Sequence, residues 1–233
     1  MIVFRRFVAE PHPCAYLADR QATLEYSLVL RLAPEEYEEH MNRGFRKFGL
    51  ALFQPVCDGC RACRPIRIPV AAFKPDHTQR KTARRNGDLR IAYGPPQLDG
   101  ERLALYDRYH RWQAVRKGWP EKEADADEYR MSFLQNPIPA VEITLREGEA
   151  LRAVVLTEVT PNVVSGIYHY HDPDCAKRSI GTYCMLQTIE LARRLDRPYA
   201  YFGYYVAGSP SMAYKANFRP CELMGEDGVW RPM

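Results

Sequence analysis

The 233-residue chain has no apolar run near the ~18 residues that a membrane-spanning helix needs. Its first residues, MIVFRRFVAEPHPC, lack a basic segment followed by an apolar stretch and a small-residue cleavage site. Internal repeats and low-complexity tracts are also missing, and the apolar and charged fractions (46% and 27%) are ordinary for a globular protein. These absences argue against a membrane protein, a secreted protein, a solenoid and a disordered chain. They lead us to expect a cytoplasmic protein with no membrane partner. In a reducing cytosol the seven cysteines are not expected to pair as disulfides.

Acidic residues are scarce in one stretch. Between Arg61 and Arg90 there are nine basic residues and only two acidic ones, Asp76 and Asp88, a local +7 on a chain whose net charge is +4. Such a block suits a polyanionic partner. Within it, Pro75-Asp76 opens a helix and Asn86-Gly87 closes it. Arg80, Lys81, Arg84 and Arg85 then share one helical face, which could follow a phosphate backbone. The alternative is a solvated helix face.

Just before this block stands CDGCRACRP, with Cys57, Cys60 and Cys63 three residues apart. A C-x-x-C-x-x-C run with a distant fourth ligand can hold zinc or an iron–sulfur cluster. A reduced, buried thiol cluster is the other reading. Cys175, Cys184 and Cys221 read as ordinary small residues.

Elsewhere, Ala33-Pro34-Glu35-Glu36 starts a helix that runs to about Arg43. Residues 50–56 and 65–73 read as extended. From residue 88 the pattern gives a strand at 89–93, helices at 98–117 and 125–135, and strands at 140–146, 151–159 and 163–170. A loop leads into a helix at about 181–195 and a strand at 199–203. A short helical piece near 210–217 and two short strands finish the chain. This order resembles the N-acyltransferase plan of the GNAT type, in which a loop at a helix N-terminus holds a pyrophosphate. The loop's usual R/Q-x-x-G-x-G/A signature is half present, as Arg178-Ser179-Ile180-Gly181-Thr182-Tyr183. The bulky Tyr183 argues against ordinary acetyl-CoA binding. We therefore expect an α+β fold: an N-terminal cysteine-containing lobe with the basic helix (residues 1–87) and a GNAT-like acyltransferase domain (88–233).

YFGYYVAGSPSMAYKANFRPCEL (201–223), YHYHDPDCAKRSIGTY (168–183), PHPCAYL (11–17) and CDGCRACRPIRIPVAAFKP (57–75) resemble, in order, motifs of the aminoacyl-tRNA–protein transferases. The three-cysteine form resembles the aspartate/glutamate leucyltransferase branch. The resemblance implies transfer of leucine from leucyl-tRNA to proteins that begin with Asp or Glu, which marks them for N-degron degradation. It also implies Cys14 as the fourth member of the cysteine set. One departure is Ser209-Pro210-Ser211-Met212, where many relatives have Cys-x-Lys-Met.

That reaction is aminolysis of an ester and requires no cofactor. It needs a neutral amine, a stabilised oxyanion and a proton for the leaving ribose oxygen. Lys215, Arg219 and Arg178 are candidate cations for the acceptor's acidic side chain. Ser179, Gly181, Tyr183, Met212 and Tyr214 complete the candidate substrate site. Tyr204 and Tyr205 could stack on the terminal adenine or donate to the oxyanion, with one of the pair turned into the core. Asp172 either orients an ammonium or shapes a turn. His169 and His171 share one strand face, and one of them is a candidate proton acceptor. An arginyltransferase of the same family, marked by an acidic residue in the aminoacyl pocket, is one alternative. A non-enzymatic, metal-containing tRNA-binding module is another.

Overall fold

The computed structural model describes residues 1–118 and 123–233. Its strands are β1 (Ile2–Val8), β2 (His12–Pro13), β3 (Gln21–Ala22), β4 (Leu24–Arg31), β5 (Arg46–Phe48), β6 (Ala51–Pro55), β7 (Arg64–Pro69), β8 (Arg90–Gly94), β9 (Ala140–Glu147), β10 (Ala150–Val159), β11 (Val163–His171), β12 (Tyr199–Tyr205), β13 (Glu222–Met224) and β14 (Trp230–Pro232). Its α-helices are α1 (Pro34–Met41), α2 (His77–Arg85), α3 (Gly100–Lys117), α4 (Ala126–Tyr129), α5 (Ile180–Arg194) and α6 (Pro210–Ala213).

The helices start and stop where their capping residues require. Asp76 accepts from the Gln79 amide while the Gln79 side chain returns to the Asp76 amide, a capping box that fixes the start of α2. Asp99 caps α3, and Gly118 ends it in the left-handed region. The helix expected at 125–135 begins at its Asp125 cap, but after one turn it widens into a π-helical segment, Arg130–Leu134.

The main sheet has eight strands in the order β14-β13-β7-β12-β11-β10-β9-β8. Its strands pair antiparallel except β11 and β12, which are parallel and joined by α5. Side-chain alternation splits its core into two layers. Ala153 and Val155 of β10 pack under α5, whereas Val154 and Leu156 pack with Tyr109, Tyr129 and Phe133 on the other face.

The division expected at residue 87 does not follow the topology. β7, from the N-terminal part, lies inside the main sheet between β13 and β12, and α2 packs on α5. Four of the remaining N-terminal strands form a separate sheet, β1-β4-β6-β5. Its core shares Val163 and Tyr201 with the main sheet.

β11 and β12 pair only at Val163–Tyr199, Val164–Ala200 and Ser165–Tyr201. Beyond that point they part. β12 also slips its register against β7 between Tyr201 and Tyr204, where Gly203 takes a φ of +71° that only glycine adopts readily. The opening between the two strands leads into a deep cleft.

Candidate active site

The cleft holds about 890 Å³ and is bordered by the diverging strands, the N-terminus of α5, the C-terminal end of α3, residues 211–215 and β5. Four cationic side chains line it, Arg46, Arg116, Lys117 and Lys215, while Lys47 borders it with its amine turned to a buried ion pair with Glu158. No Asp or Glu is among the described lining residues. The N-terminal turn of α5 adds its positive end. Phe48, Phe53, Val155, Ile167, Ile180 and Met185 supply an apolar wall. The space therefore suits a ligand that is anionic at one part and greasy at another.

Lys215 is the most unusual group. Its Nζ donates to the Tyr204 carbonyl oxygen at 2.8 Å and lies 3.4 Å from the Met212 sulfur. Burial, and then the Arg46 charge, push its pKa down to about 7, only partly offset by Cys63. An amine in this state holds or releases a proton near neutrality. His169 is also in the cleft, but burial lowers it to about 4, so it is neutral and weakly basic at pH 7. His171 is lowered too, chiefly by burial, and its ring sits edge-on to Tyr109 and Trp112. Gly181 keeps this region open: a Cβ there would stand 3.5 Å from the His169 Nε2 and 3.9 Å from the His171 Nε2.

Of the residues singled out in the sequence, Ser179, Gly181, Tyr204, Met212, Tyr214 and Lys215 line the cleft. Several others turn away from it. The carboxylate of Asp172 is held by Arg108 (2.9 Å) and Arg152 (2.6 Å) and caps the turn that follows it, so the turn-shaping alternative holds. Tyr183 packs into the core under α5, which removes its bulk from any ligand path. Tyr205 packs against the same core. Arg219 is exposed and donates to the Met233 carbonyl, because the turn after Asn217 carries it away from Lys215. Tyr204 is buried, and its hydroxyl donates inward to the Gly44 carbonyl at 2.8 Å. Its contribution to the cleft is thus the backbone carbonyl that holds Lys215.

Arg178 is also outside the cleft lining. It pairs with Asp88, donates to Glu147 at 3.0 Å and to the Arg85 carbonyl at 2.8 Å, and so ties α2 to the α5 loop. Arg178→Met is expected to change kcat/KM less than ~3-fold while lowering Tm by about 2–4 °C, the cost of a mostly exposed ion-pair network. Paired kinetics and a thermal melt check this.

Arg80, Lys81, Arg84 and Arg85 lie on α2, and all four are exposed. Arg85 donates to the Lys177 carbonyl (2.7 Å), and Asn86 Nδ2 donates to the Arg178 carbonyl (2.9 Å). These bonds place the C-terminal end of the basic helix beside the turn at 176–179, whose Ala176 and Ser179 line the cleft.

The cysteine loop is closer to this site than its place in the sequence suggests. Pro65 and Arg64, which follow Cys63, pair with Tyr204 and Tyr205. Burial, with the other three thiols Cys14, Cys57 and Cys60 nearby, pushes the Cys63 thiol up to about 12. Cys57 is already engaged, its sulfur accepting from the Thr23 amide at 3.4 Å. Among the described residues no three His, Cys, Asp or Glu side chains stand close enough together to hold a metal ion. No step of the chemistry is assigned to the four thiols. Cys175, Cys184 and Cys221 are buried core residues, as expected.

Sequence reasoning missed Arg46 and Lys47. They are adjacent residues of a short strand, so they face opposite ways. Lys47 goes inward to a buried ion pair with Glu158, and Arg46 goes to the point where β11 and β12 part. A basic pair in an otherwise apolar stretch, GFRKFGLALF, was the available signal.

Comparison with known proteins adds the following. Residues 12–81 match the N-terminal, and residues 101–225 the C-terminal, description of the arginine-tRNA-protein transferases. The chain is 38% identical to an aspartate/glutamate leucyltransferase of Halorhodospira halophila, over 94% of this chain and 93% of that protein. It is 40% identical to one of Chromohalobacter salexigens, over 97% and 92%. Among solved structures, the C-terminal domain of a putative lysylphosphatidylglycerol synthetase from Agrobacterium fabrum is similar at a TM-score of 0.50 and 13% identity. That likeness covers 87% of this chain and 64% of the other, and it concerns the fold alone. Among the described residues no helix is long and apolar enough to cross a membrane.

Proposed function

Because the chain belongs to the arginine-tRNA-protein transferase family, we propose that it transfers leucine from leucyl-tRNA to the α-amine of proteins beginning with Asp or Glu, marking them for N-degron degradation. The observation that carries the choice of donor is the cleft lining. It has an apolar wall for an aliphatic side chain and no carboxylate among its described residues to meet an arginyl guanidinium. The arginyl alternative therefore has no pairing group there. A binding module without chemistry would have no use for an amine tuned to neutrality beside the parted strands. The GNAT-type plan is the fold reading that accompanies this function, with the acceptor entering where β11 and β12 diverge.

The chemistry follows from the groups present. The acceptor's α-ammonium must lose a proton, its nitrogen must attack the ester carbonyl, and the ribose oxygen must gain a proton as it leaves. Neutral Lys215, steadied by the Tyr204 carbonyl, takes the proton from the attacking nitrogen and returns it to the ribose oxygen. The other proton of the starting ammonium leaves to solvent before attack, so ammonium and ester become amide, alcohol and one released proton, and no covalent enzyme intermediate is needed. The cationic lining and the α5 N-terminus favour the negative charge that develops on the carbonyl oxygen. His169 is available as a hydrogen-bond acceptor rather than as the base. The basic face of α2 meets the phosphates of the donor tRNA away from the reacting bond.

The test is a transfer assay with labelled leucyl-tRNA and arginyl-tRNA against peptides beginning with Asp, Glu or Ala. Leucine on the acidic peptides is expected. Arginine transfer, or no transfer alongside tight tRNA binding, overturns the reading.

A further inference from the structure

Arg46 is 8% exposed, and no carboxylate lies within ion-pairing distance of it among the described residues. Its neighbour Lys47 has Glu158; Arg46 has only neutral partners. Its Nη2 donates to the Ser165 hydroxyl (3.2 Å) and the Gly166 carbonyl (3.3 Å). Nε and Nη1 have no hydrogen-bond partner among the described residues, and neither is among the nitrogens sealed from solvent. A guanidinium held this way in a protein interior is half of an ion pair.

The surroundings are small. Gly203 faces the guanidinium, and a Cβ there would come within 3.6 Å of Nε. Gly166, on the opposite strand, accepts from it through its carbonyl. Both glycines flank the gap between β11 and β12, so the guanidinium lies at that gap. Lys215 lines the same cleft, close enough for the Arg46 charge to act on its amine.

We propose that Arg46 binds the side-chain carboxylate of the acceptor's first residue and is the group that selects Asp and Glu. The proposal rests on the reading of the chain as an acidic-acceptor aminoacyltransferase. The geometry favours a carboxylate because the buried guanidinium has no acid opposite it among the described residues and keeps N–H donors free on Nε and Nη1. The same acceptor residue then places its amine toward Lys215 and its acid toward Arg46, both of which line the one cleft. A phosphate of the donor tRNA is the competing occupant; the narrow gap between two glycines disfavours so bulky a group.

The test compares kcat/KM for peptides that begin with Asp and with Asn, identical otherwise, using leucyl-tRNA with wild type, R46Q and R46K. The ratio of the two does not depend on how much of a variant is folded. Wild type is expected to prefer Asp strongly. In R46Q the Asp/Asn ratio is expected to fall ~30-fold or more, mainly through KM for the Asp peptide, as when one partner of a buried charge pair is removed. R46K, which keeps the charge and loses the fork, is expected to regain part of the preference. A ratio that stays at the wild-type value in R46Q overturns the proposal, and a rise in KM for leucyl-tRNA in the same variant would assign Arg46 to a donor phosphate instead. Failure of the wild type to transfer leucine at all overturns the underlying function rather than the assignment within it.

Discussion

Lys215→Met is expected to lower kcat for leucyl transfer by ~10²–10⁴-fold, the usual value of a positioned acid–base group. Methionine keeps much of the volume and removes the amine. Lys215→Arg is expected to be about as slow, because arginine keeps the charge and the donor to the Tyr204 carbonyl but cannot give up its proton at neutral pH. Comparing the two separates proton transfer from packing. A role as a fixed cation would leave the arginine variant active.

The pH dependence has a definite sign. Lys215 is protonated below about 7 and neutral above it, so the wild-type rate is expected to climb as pH rises through about 7. The acceptor's own α-amine adds a second limb near ~7.7–8. Only the first limb should vanish in the methionine variant. Stability carries the same signature. An unfolded lysine titrates near ~10.4, so between about 7 and that value the unfolded chain binds more protons than the native one. Rising pH across that window should stabilise wild type relative to Lys215→Met, as denaturant midpoints taken at several pH values would report.

The second large effect concerns the donor. Replacing Arg80, Lys81, Arg84 and Arg85 together by glutamine keeps good helix formers in α2. It is expected to raise KM for leucyl-tRNA by ~10-fold or more at low salt. The slope of log affinity against log salt should flatten by ~0.7–0.9 for each phosphate that the helix no longer neutralises. A leucyl ester of adenosine, which has no phosphate tail, should show little of this weakening. An unchanged salt slope would mean that the helix is a solvated face and nothing more.

The local signals in the sequence were sound guides. Pro75-Asp76 with Asn86-Gly87, the helical spacing over 98–117 and the strand pattern along 140–170 specify elements that the chain forms close to where expected. β4 shows how alternation can mislead. Its register buries Ser27 and Val29 and leaves Leu30 62% exposed, so the face that holds the serine turns to the core. β1 is exposed along most of its length and carries Arg5 and Arg6 in its middle, which gives no two-residue pattern to detect. The boundary at residue 87 falls between the two family matches, yet the sheet crosses it: β7 is sequentially N-terminal but pairs with β12 and β13, more than a hundred residues away.

The site was legible only as far as a motif fixes a residue's surroundings. Lys215 and Gly181 reach the cleft because short turns hold them beside β12 and β11. Asp172 and Arg178 belong to the same kind of motif, yet distant partners claim them: Arg108 and Arg152 for the first, Asp88 and Glu147 for the second. Arg46 is the reverse case. Nothing near it in sequence marks it, and its importance comes from having no acid opposite it among the described residues. CDGCRACRP, set far from the catalytic half by sequence distance, is joined to Tyr204 and Tyr205 by the register of β7.

The most direct measurement is the donor choice of purified protein on a peptide beginning with Glu, with leucyl-tRNA and arginyl-tRNA present together and the product identified by mass. A cleft with an apolar wall and no carboxylate among its described lining residues predicts a single product carrying leucine. A product carrying arginine would contradict it.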